Sequence, residues 1–287
     1  MLLDIFLRGL LVLIFISGTV VISFFTTRAL AFFIPSPVVS GIFLASTTVI
    51  LSAVVIIGVA YFYVYHGFGA QSDVIRRIPT SRKKVVLTFD DGPSQEYTPK
   101  ILDILAEKGV RATFFMVGSN VENYSEVARR IVEEGHEVGN HTYGHITVPH
   151  APPPQLASQI MRTNWTILQH TGKYPPYLRP PRGLYDMRLR RLVKLTGQEL
   201  VLWSLSSQDW HPRANGENIA KRLLSSVSPG DILLFHDSGS LLKTEGSNRN
   251  PTIEAVSLLI DGLHRQGYQI VPLEDYVSPL LLHEKKM

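Results

Sequence analysis

Residues 1 to about 70 are almost uncharged, and no other feature restricts the chain as much. Two long apolar stretches fill this part. The first runs from Gly9 to Phe25, passes Thr26, Thr27 and Arg28, and resumes from Ala29 to Ile34. The second runs from Val38 to Tyr65. A helix needs about 20 apolar residues to cross a bilayer, and each stretch suffices. Between them lies Pro35-Ser36-Pro37. Proline cannot continue a helix and holds the preceding residue extended, so a tight turn is predicted here. The expectation is an N-terminal transmembrane helical hairpin, with spans at about 9–34 and 38–65. Tyr61, Phe62, Tyr63 and Tyr65 fit an aromatic belt at a membrane surface. Arg28 lies near a span end, where its side chain can snorkel. The competing reading of the first stretch is a cleaved signal peptide. No small-residue cleavage site follows it cleanly, and a second span comes directly afterwards.

The remainder, roughly 200 residues, is enough for one large α/β domain with its own core. Net charge is +4. Arg76, Arg77, Arg82, Lys83 and Lys84 cluster just past the second span, and 71–83 reads as a basic linker beside membrane lipid. No basic and aromatic array recurs later, so nucleic acid is not an expected partner. The absence of cysteine excludes disulfides and thiolate metal sites.

Past residue 72, apolar runs alternate with helical patterns. Strands are predicted at 84–89, 112–117, 136–140, 176–180, 199–205, 231–236 and 268–271. Helices are predicted at 97–108, 121–134, 154–171, 187–196, 216–227 and 251–266. The last has Asn250 as its expected N-cap, Pro251 in its first turn and Gly267 beyond its end. Such alternation argues for a parallel sheet, open or closed into a barrel. Asp90, Asp91, His141, Arg179, Asp209 and His236 all fall at or near strand C-terminal ends. In an α/β barrel these ends gather at one mouth.

Two motifs carry the chemistry. Thr88-Phe89-Asp90-Asp91-Gly92-Pro93 follows the apolar run Val85-Val86-Leu87, and His141-Thr142-Tyr143-Gly144-His145 comes about fifty residues later. Two histidines at i and i+4 would share one face of a helical turn. The spacing resembles a zincin helix, but Thr142, Tyr143 and Gly144 include no glutamate to act as base. Adjacent carboxylates at a strand end repel each other unless something positive divides their roles. Successive strand residues point different ways, so one aspartate can reach a metal while the other faces the attacking water. Together the motifs offer three metal ligands and a base. The plainer reading, an Asp-Gly-Pro cap before a helix, accounts for one aspartate and not for two.

These motifs resemble carbohydrate esterase family 4, the polysaccharide deacetylases with a NodB homology domain. Three further blocks match in order: Arg179-Pro180-Pro181-Arg182-Gly183, Ser206-Ser207-Gln208-Asp209-Trp210, and Leu234-Phe235-His236. The resemblance covers about 84–276, leaving 277–287 as a C-terminal tail. It implies a distorted, incomplete (β/α) barrel. It also implies that Asp91, His141 and His145 bind a divalent metal, usually zinc, and that Asp90 is the general base, oriented by Arg179. His236 would be the general acid, tuned by Asp209. The backbone N–H of Arg182 would help form an oxyanion hole, and Trp210 and Leu234 would wall the acetyl pocket. Arg182 stands where an aromatic residue is usual, and its cation could meet a phosphate or an acidic sugar. Ser206 stands where aspartate is frequent.

The expected activity is removal of N-acetyl groups from an amino sugar in a polysaccharide, peptidoglycan or lipid-linked glycan. The alternatives are a non-catalytic carbohydrate-binding module on the same scaffold and an amide hydrolase of non-sugar substrates. The basic cluster favours a cytoplasmic domain by the positive-inside rule, whereas peptidoglycan requires the opposite side. Trp203 and Trp165 read as core residues, and His150, His211, His264 and His283 as surface groups. The polar loop from Gly239 to Asn250 reads either as a substrate-binding segment at the barrel mouth or as simple disorder.

Overall fold

The computed structural model describes residues 17–18, 20–26, 28–29, 36–66, 73–239 and 248–277. The chain divides into two compact units, Met1–Ala70 and Gln71–Met287.

In the first unit, helix α1 spans Pro37–His66. Within it, the 22 residues Pro37–Gly58 are long and apolar enough to cross a membrane. Val38, Ile42, Val49 and Ile57 all face outward. Ser46 and Thr47 donate their hydroxyls to the carbonyls of Ile42 and Phe43, at 2.9 and 2.6 Å, so neither polar group is left open in an apolar setting. Most of the expected span at 9–34, and Pro35 of the expected turn, lie outside the described residues. The hairpin is therefore not shown, and the structure supplies one candidate span.

The second unit is built on a parallel sheet. Its strands are β1 (Val74–Ile75), β2 (Lys84–Asp90), β3 (Thr113–Met116), β4 (Glu137–Asn140), β5 (Tyr177–Leu178), β6 (Glu199–Val201), β7 (Leu205–Ser206), β8 (Ile232–His236) and β9 (Gln269–Ile270). The order is β1-β6-β5-β4-β3-β2-β8-β7, with β9 added beside the start of β2. The end strands β1 and β7 do not pair, so the barrel is incomplete. β2 is buried along nearly its whole length, as expected of a central parallel strand covered on both faces. Phe89, Phe114 and Phe235, from β2, β3 and β8, pack ring to ring with centroids 5.0 and 6.0 Å apart.

Helices α2 (Thr98–Lys108), α3 (Gly118–Asn123), α4 (Ser125–Glu133), α5 (Pro153–Thr171), α6 (Met187–Leu195), α7 (Gly216–Ser226) and α8 (Asn250–Arg265) connect the strands. Each long one buries one stripe. In α5 the stripe is Leu156, Ile160, Thr163, Asn164 and Ile167, a helical repeat. Trp165 falls off that stripe and is 61% exposed, contrary to the expected core role. Trp203 is half-buried against the core, as expected. His150, His211 and His264 are exposed, whereas His283 lies outside the described residues.

Four element boundaries differ from expectation. The helix expected at 121–134 is two helices, broken at Tyr124, whose backbone (φ −130°, ψ 48°) is not helical. The strand expected at 199–205 is split into β6 and β7, which leaves the carbonyl of Leu202 free to accept from Arg179. Asn250 opens α8 rather than capping it, because Arg249 holds the cap position. The segment read as a linker carries β1, which pairs with β6, and Ile78, which is buried. An apolar pair of only two residues is too short to stand out in the sequence.

Candidate active site

β2 delivers Asp90 as its last residue, and Asp91 follows in a left-handed conformation (φ 81°). That turn sends the two carboxylates in different directions. Asp90 Oδ1 accepts from Arg179 Nη1 at 2.7 Å, while its Oδ2 lies 3.8 Å from His141 Nε2. Asp91 Oδ1 lies 3.4 Å from His141 Nε2 and 3.3 Å from His145 Nε2. The candidate ligand atoms of Asp91, His141 and His145 all lie within 4.8 Å of one another.

The two histidines are not on a helical turn, as their spacing had suggested. They lie on the loop after β4, where Thr142 (φ 64°) and His145 (φ 49°) are left-handed. Asn140 sets this loop by accepting from the Thr142 amide at 2.7 Å while its own amide donates to Ile160 O and Asn164 Oδ1. Arg182 (φ 60°) and Gln208 (φ 53°), after β5 and β7, complete a set of five left-handed non-glycine residues among the described residues. All five border the same cluster of loops. Each such conformation costs on the order of 1–3 kcal/mol and persists only where the surroundings enforce it.

The donor set suits a divalent cation. A carbonyl can only accept, so the 2.7 Å bond between His141 Nδ1 and Arg179 O places a proton on Nδ1 and turns Nε2 toward Asp91. Burial and the neighbouring His141 push His145 down to about 3, so it is neutral. Burial opposes ionisation of Asp91, but contact with His141 and the nearby imidazoles of His236 and His145 outweigh it and hold the carboxyl at about 2. His145 and Asp91 are thus in ligating form, and His141 presents Nε2 beside them. A tetrahedral ion with ligands at about 2.0–2.1 Å needs donors about 3.3–3.4 Å apart, and the two histidine–Asp91 separations match.

Arg179 is fully buried and joins three strands' ends. It donates to Thr88 Oγ1 (2.8 Å), Asp90, Val201 O (3.3 Å) and Leu202 O (2.8 Å), and its guanidinium lies 4.0 Å from the Phe115 ring centroid. On the other side of the cluster, His236 Nδ1 and Asp209 Oδ1 are 2.7 Å apart. Burial alone would lower the pKa of His236; Asp209 reverses that and raises it to about 9. Asp209 Oδ2 also accepts from the His236 amide (2.9 Å) and from Thr252 Oγ1 (2.8 Å). Leu234 shares the His236 side of β8 by strand alternation and is buried, whereas Trp210 is 57% exposed. Arg182 heads an exposed side chain, bonded to Thr147 Oγ1 at 2.8 Å, whose charge weighs against protonation of His145. Most of the loop at 239–250 lies outside the described residues.

Four supports carried no sequence signal. Asn120 donates to the carbonyl of Asp91 at 2.7 Å. Arg249 donates to Asp209 O (3.1 Å) and to Ser238 O (2.8 Å). Thr252 reaches Asp209 from α8. Asp237 is buried beside Gly92 and accepts from Thr98 at 2.7 Å, while burial and the charge of Asp91 push its carboxyl up to about 7. Only Asp237 adjoins a motif.

Residues 77–201 match the model of the family described as polysaccharide deacetylase. A chitooligosaccharide deacetylase of Bradyrhizobium sp. is 35% identical over 67% of this chain and 89% of its own length. This chain is a member of the polysaccharide deacetylase family. In the same family, a peptidoglycan-N-acetylglucosamine deacetylase of Bacillus cereus is 34% identical over 68% of this chain and 68% of its own. The crystal structure of the Bc1960 peptidoglycan N-acetylglucosamine deacetylase is also similar, with a TM-score of 0.66 and 31% identity over 71% of this chain and 92% of that one. The curled, half-barrel α/β architecture is the one these family 4 carbohydrate esterases share.

Proposed function

We propose that this chain is a metal-dependent hydrolase that removes the acetyl group from an N-acetylated amino sugar, giving a free amine and acetate. One observation carries the reading: Asp91, His141 and His145 form a ligand cluster, with an arginine-held carboxylate beside it and the buried-aspartate-backed His236 across from it. The names of the relatives supply the sugar.

Asp91, His141 and His145 would hold the ion, which we take as zinc because two imidazoles and a carboxylate leave positions open for reactants. When bound, the ion supplies Lewis acidity to the acetyl carbonyl and lowers the pKa of water toward ~7. Asp90 takes the proton of the attacking water through Oδ2, since Oδ1 is occupied by Arg179. The backbone N–H of Arg182 stabilises the developing oxyanion, where one donor is worth about 3 kcal/mol. His236 donates its proton from Nε2 to the departing nitrogen, with Nδ1 committed to Asp209. Water oxygen bonds to the acetyl carbon and the carbon–nitrogen bond breaks; one water proton goes to Asp90, the nitrogen takes the proton of His236, and the second water proton leaves as the product acid ionises to acetate. Leu234 and Trp210 wall the acetyl methyl.

We read the N-terminal unit as a membrane anchor of two spans, supported by the composition of both apolar stretches and by α1. The decisive assay measures acetate released from N-acetylglucosamine oligomers, peptidoglycan, lipid-linked sugars and acetylated peptides, together with metal content. Acetate from a glycan, lost on chelation, is expected. Release from peptides alone would assign a non-sugar amidase, and metal binding with no release would assign a binding module. A reporter fused after Met287 tests which side the domain faces.

A further inference from the structure

Asp73 begins the described part of the second unit, and six residues, 67–72, separate it from the end of α1 at His66. Fully extended, that connection spans at most about 25 Å. Asp73 is fixed to α6: its carboxylate accepts from Arg190 Nε at 2.9 Å and lies 3.5 Å from Lys194.

The composition of α6 is unusual among the helices of this unit. It contains Arg188, Arg190, Arg191 and Lys194 and no acidic residue. Leu189 and Val193 are buried against the core. Met187, Arg191, Lys194 and Leu195 fall at i, i+4, i+7 and i+8, which is a single face, and all four are exposed. Leu195 is 82% exposed. The acidic groups beside this helix are Asp186, which caps its start, and Asp73 and Glu199, both partly buried beside Lys194. Arg188 pairs with Asp186 and Arg190 with Asp73, so Arg191 and Lys194 are the cations this face turns outward, and several of the cations at 76–84 are likewise engaged within the fold. Arg77 pairs with Asp231 at 2.8 Å, Lys83 donates to Gln266 O at 2.9 Å, and Lys84 lies over the Tyr276 ring.

Apolar side chains flanked by cations on one helical face match an anionic lipid surface, which takes the apolar groups below its headgroups and the cations among them. We propose that this face of α6 lies on anionic membrane lipid and sets how the catalytic unit stands on the bilayer. The proposal rests on reading α1 as a membrane span.

The chain has no cysteine, so Leu195→Cys and Glu107→Cys each accept one environment-sensitive fluorophore. Glu107, on α2, is exposed and serves as reference. The full-length protein is placed in nanodiscs of phosphatidylglycerol or of phosphatidylcholine. The expected result is a blue shift at 195 in the anionic discs only, lost at high salt and in Arg191→Glu/Lys194→Glu, while 107 reports water throughout. A label at 195 that reports water in anionic discs, or shifts equally in neutral ones, overturns the proposal. Alkaline carbonate separates the two readings. Retention in membranes without the shift overturns the docking alone, and release overturns the anchor on which it rests.

Discussion

Asp90 and Asp91 are neighbours whose carboxylates make different contacts, and the left-handed turn at Asp91 divides them. Asp90→Asn is expected to cut turnover by roughly 10²–10⁴-fold, the usual worth of a general base, while the metal stays bound. His141→Ala should lose both. Acetate release beside metal content of the purified protein distinguishes these outcomes. His236, held at about 9 by Asp209 against the effect of burial, carries a second expectation. The protonated form exists below that pKa, so activity should fall as pH rises through about 9. Asp209→Asn should move this alkaline limb toward the ordinary histidine value, which a pH profile of kcat/KM would reveal. At this scale the sequence was most legible, because the chemistry is concentrated in short motifs whose residue types have few other uses side by side. Arg249 and Asn120 escaped because each is a single residue delivered by the path of its chain, and no spacing betrays that.

Elements were legible where periodicity ran long and unclear where a boundary depended on tertiary contacts. The helical pattern at 121–134 runs on past Tyr124, where the backbone nonetheless breaks. The split between β6 and β7 becomes intelligible once Arg179 is seen taking the Leu202 carbonyl. The turn between β2 and α2 depends on Gly92, where an added Cβ would sit 2.1 Å from Asp237 Oδ2. Gly92→Ala should therefore displace Asp237, destabilise the fold by about 1–3 kcal/mol as overpacking does, and lower metal occupancy. Denaturation curves and metal analysis would register both effects. β1 gives a different test. A fragment starting at Lys84 lacks Val74 and Ile78, both buried, and at about 1.5–3 kcal/mol per buried side chain it should be less stable by about 3–6 kcal/mol than one starting at Gln71. Urea unfolding of the two fragments would measure the difference.

For the whole molecule, the alternation of strands and helices led to a parallel sheet with one active mouth, while its incomplete closure followed from family resemblance alone. The core adds a pH dependence that the motifs do not announce. His136 is buried, its Nδ1 accepts from the Ala112 amide at 3.2 Å, and its Nε2 has no hydrogen-bond partner and lies 3.9 Å from Glu134 Oε2. Burial pushes its pKa down from 6.5 to about 4. The unfolded chain therefore binds the proton more readily, so this contribution to stability is complete above pH 6.5 and is lost as pH falls toward 4. The loss amounts to roughly 3 kcal/mol. Unfolding free energies at successive pH values should show it, and His136→Gln should flatten that part of the curve. Arg179 bears on the molecule in another way. Because one guanidinium braces Asp90, the proposed general base, and also takes backbone carbonyls at the end of β6 and beyond it, removing it would harm the scaffold as much as the proposed reaction. A descendant abandoning hydrolysis could drop Asp90 or a ligand at little structural expense, yet would be under pressure to retain this arginine. Its presence in a sequence is thus a mark of ancestry and architecture, and the carboxylate it grips is the better witness to chemistry.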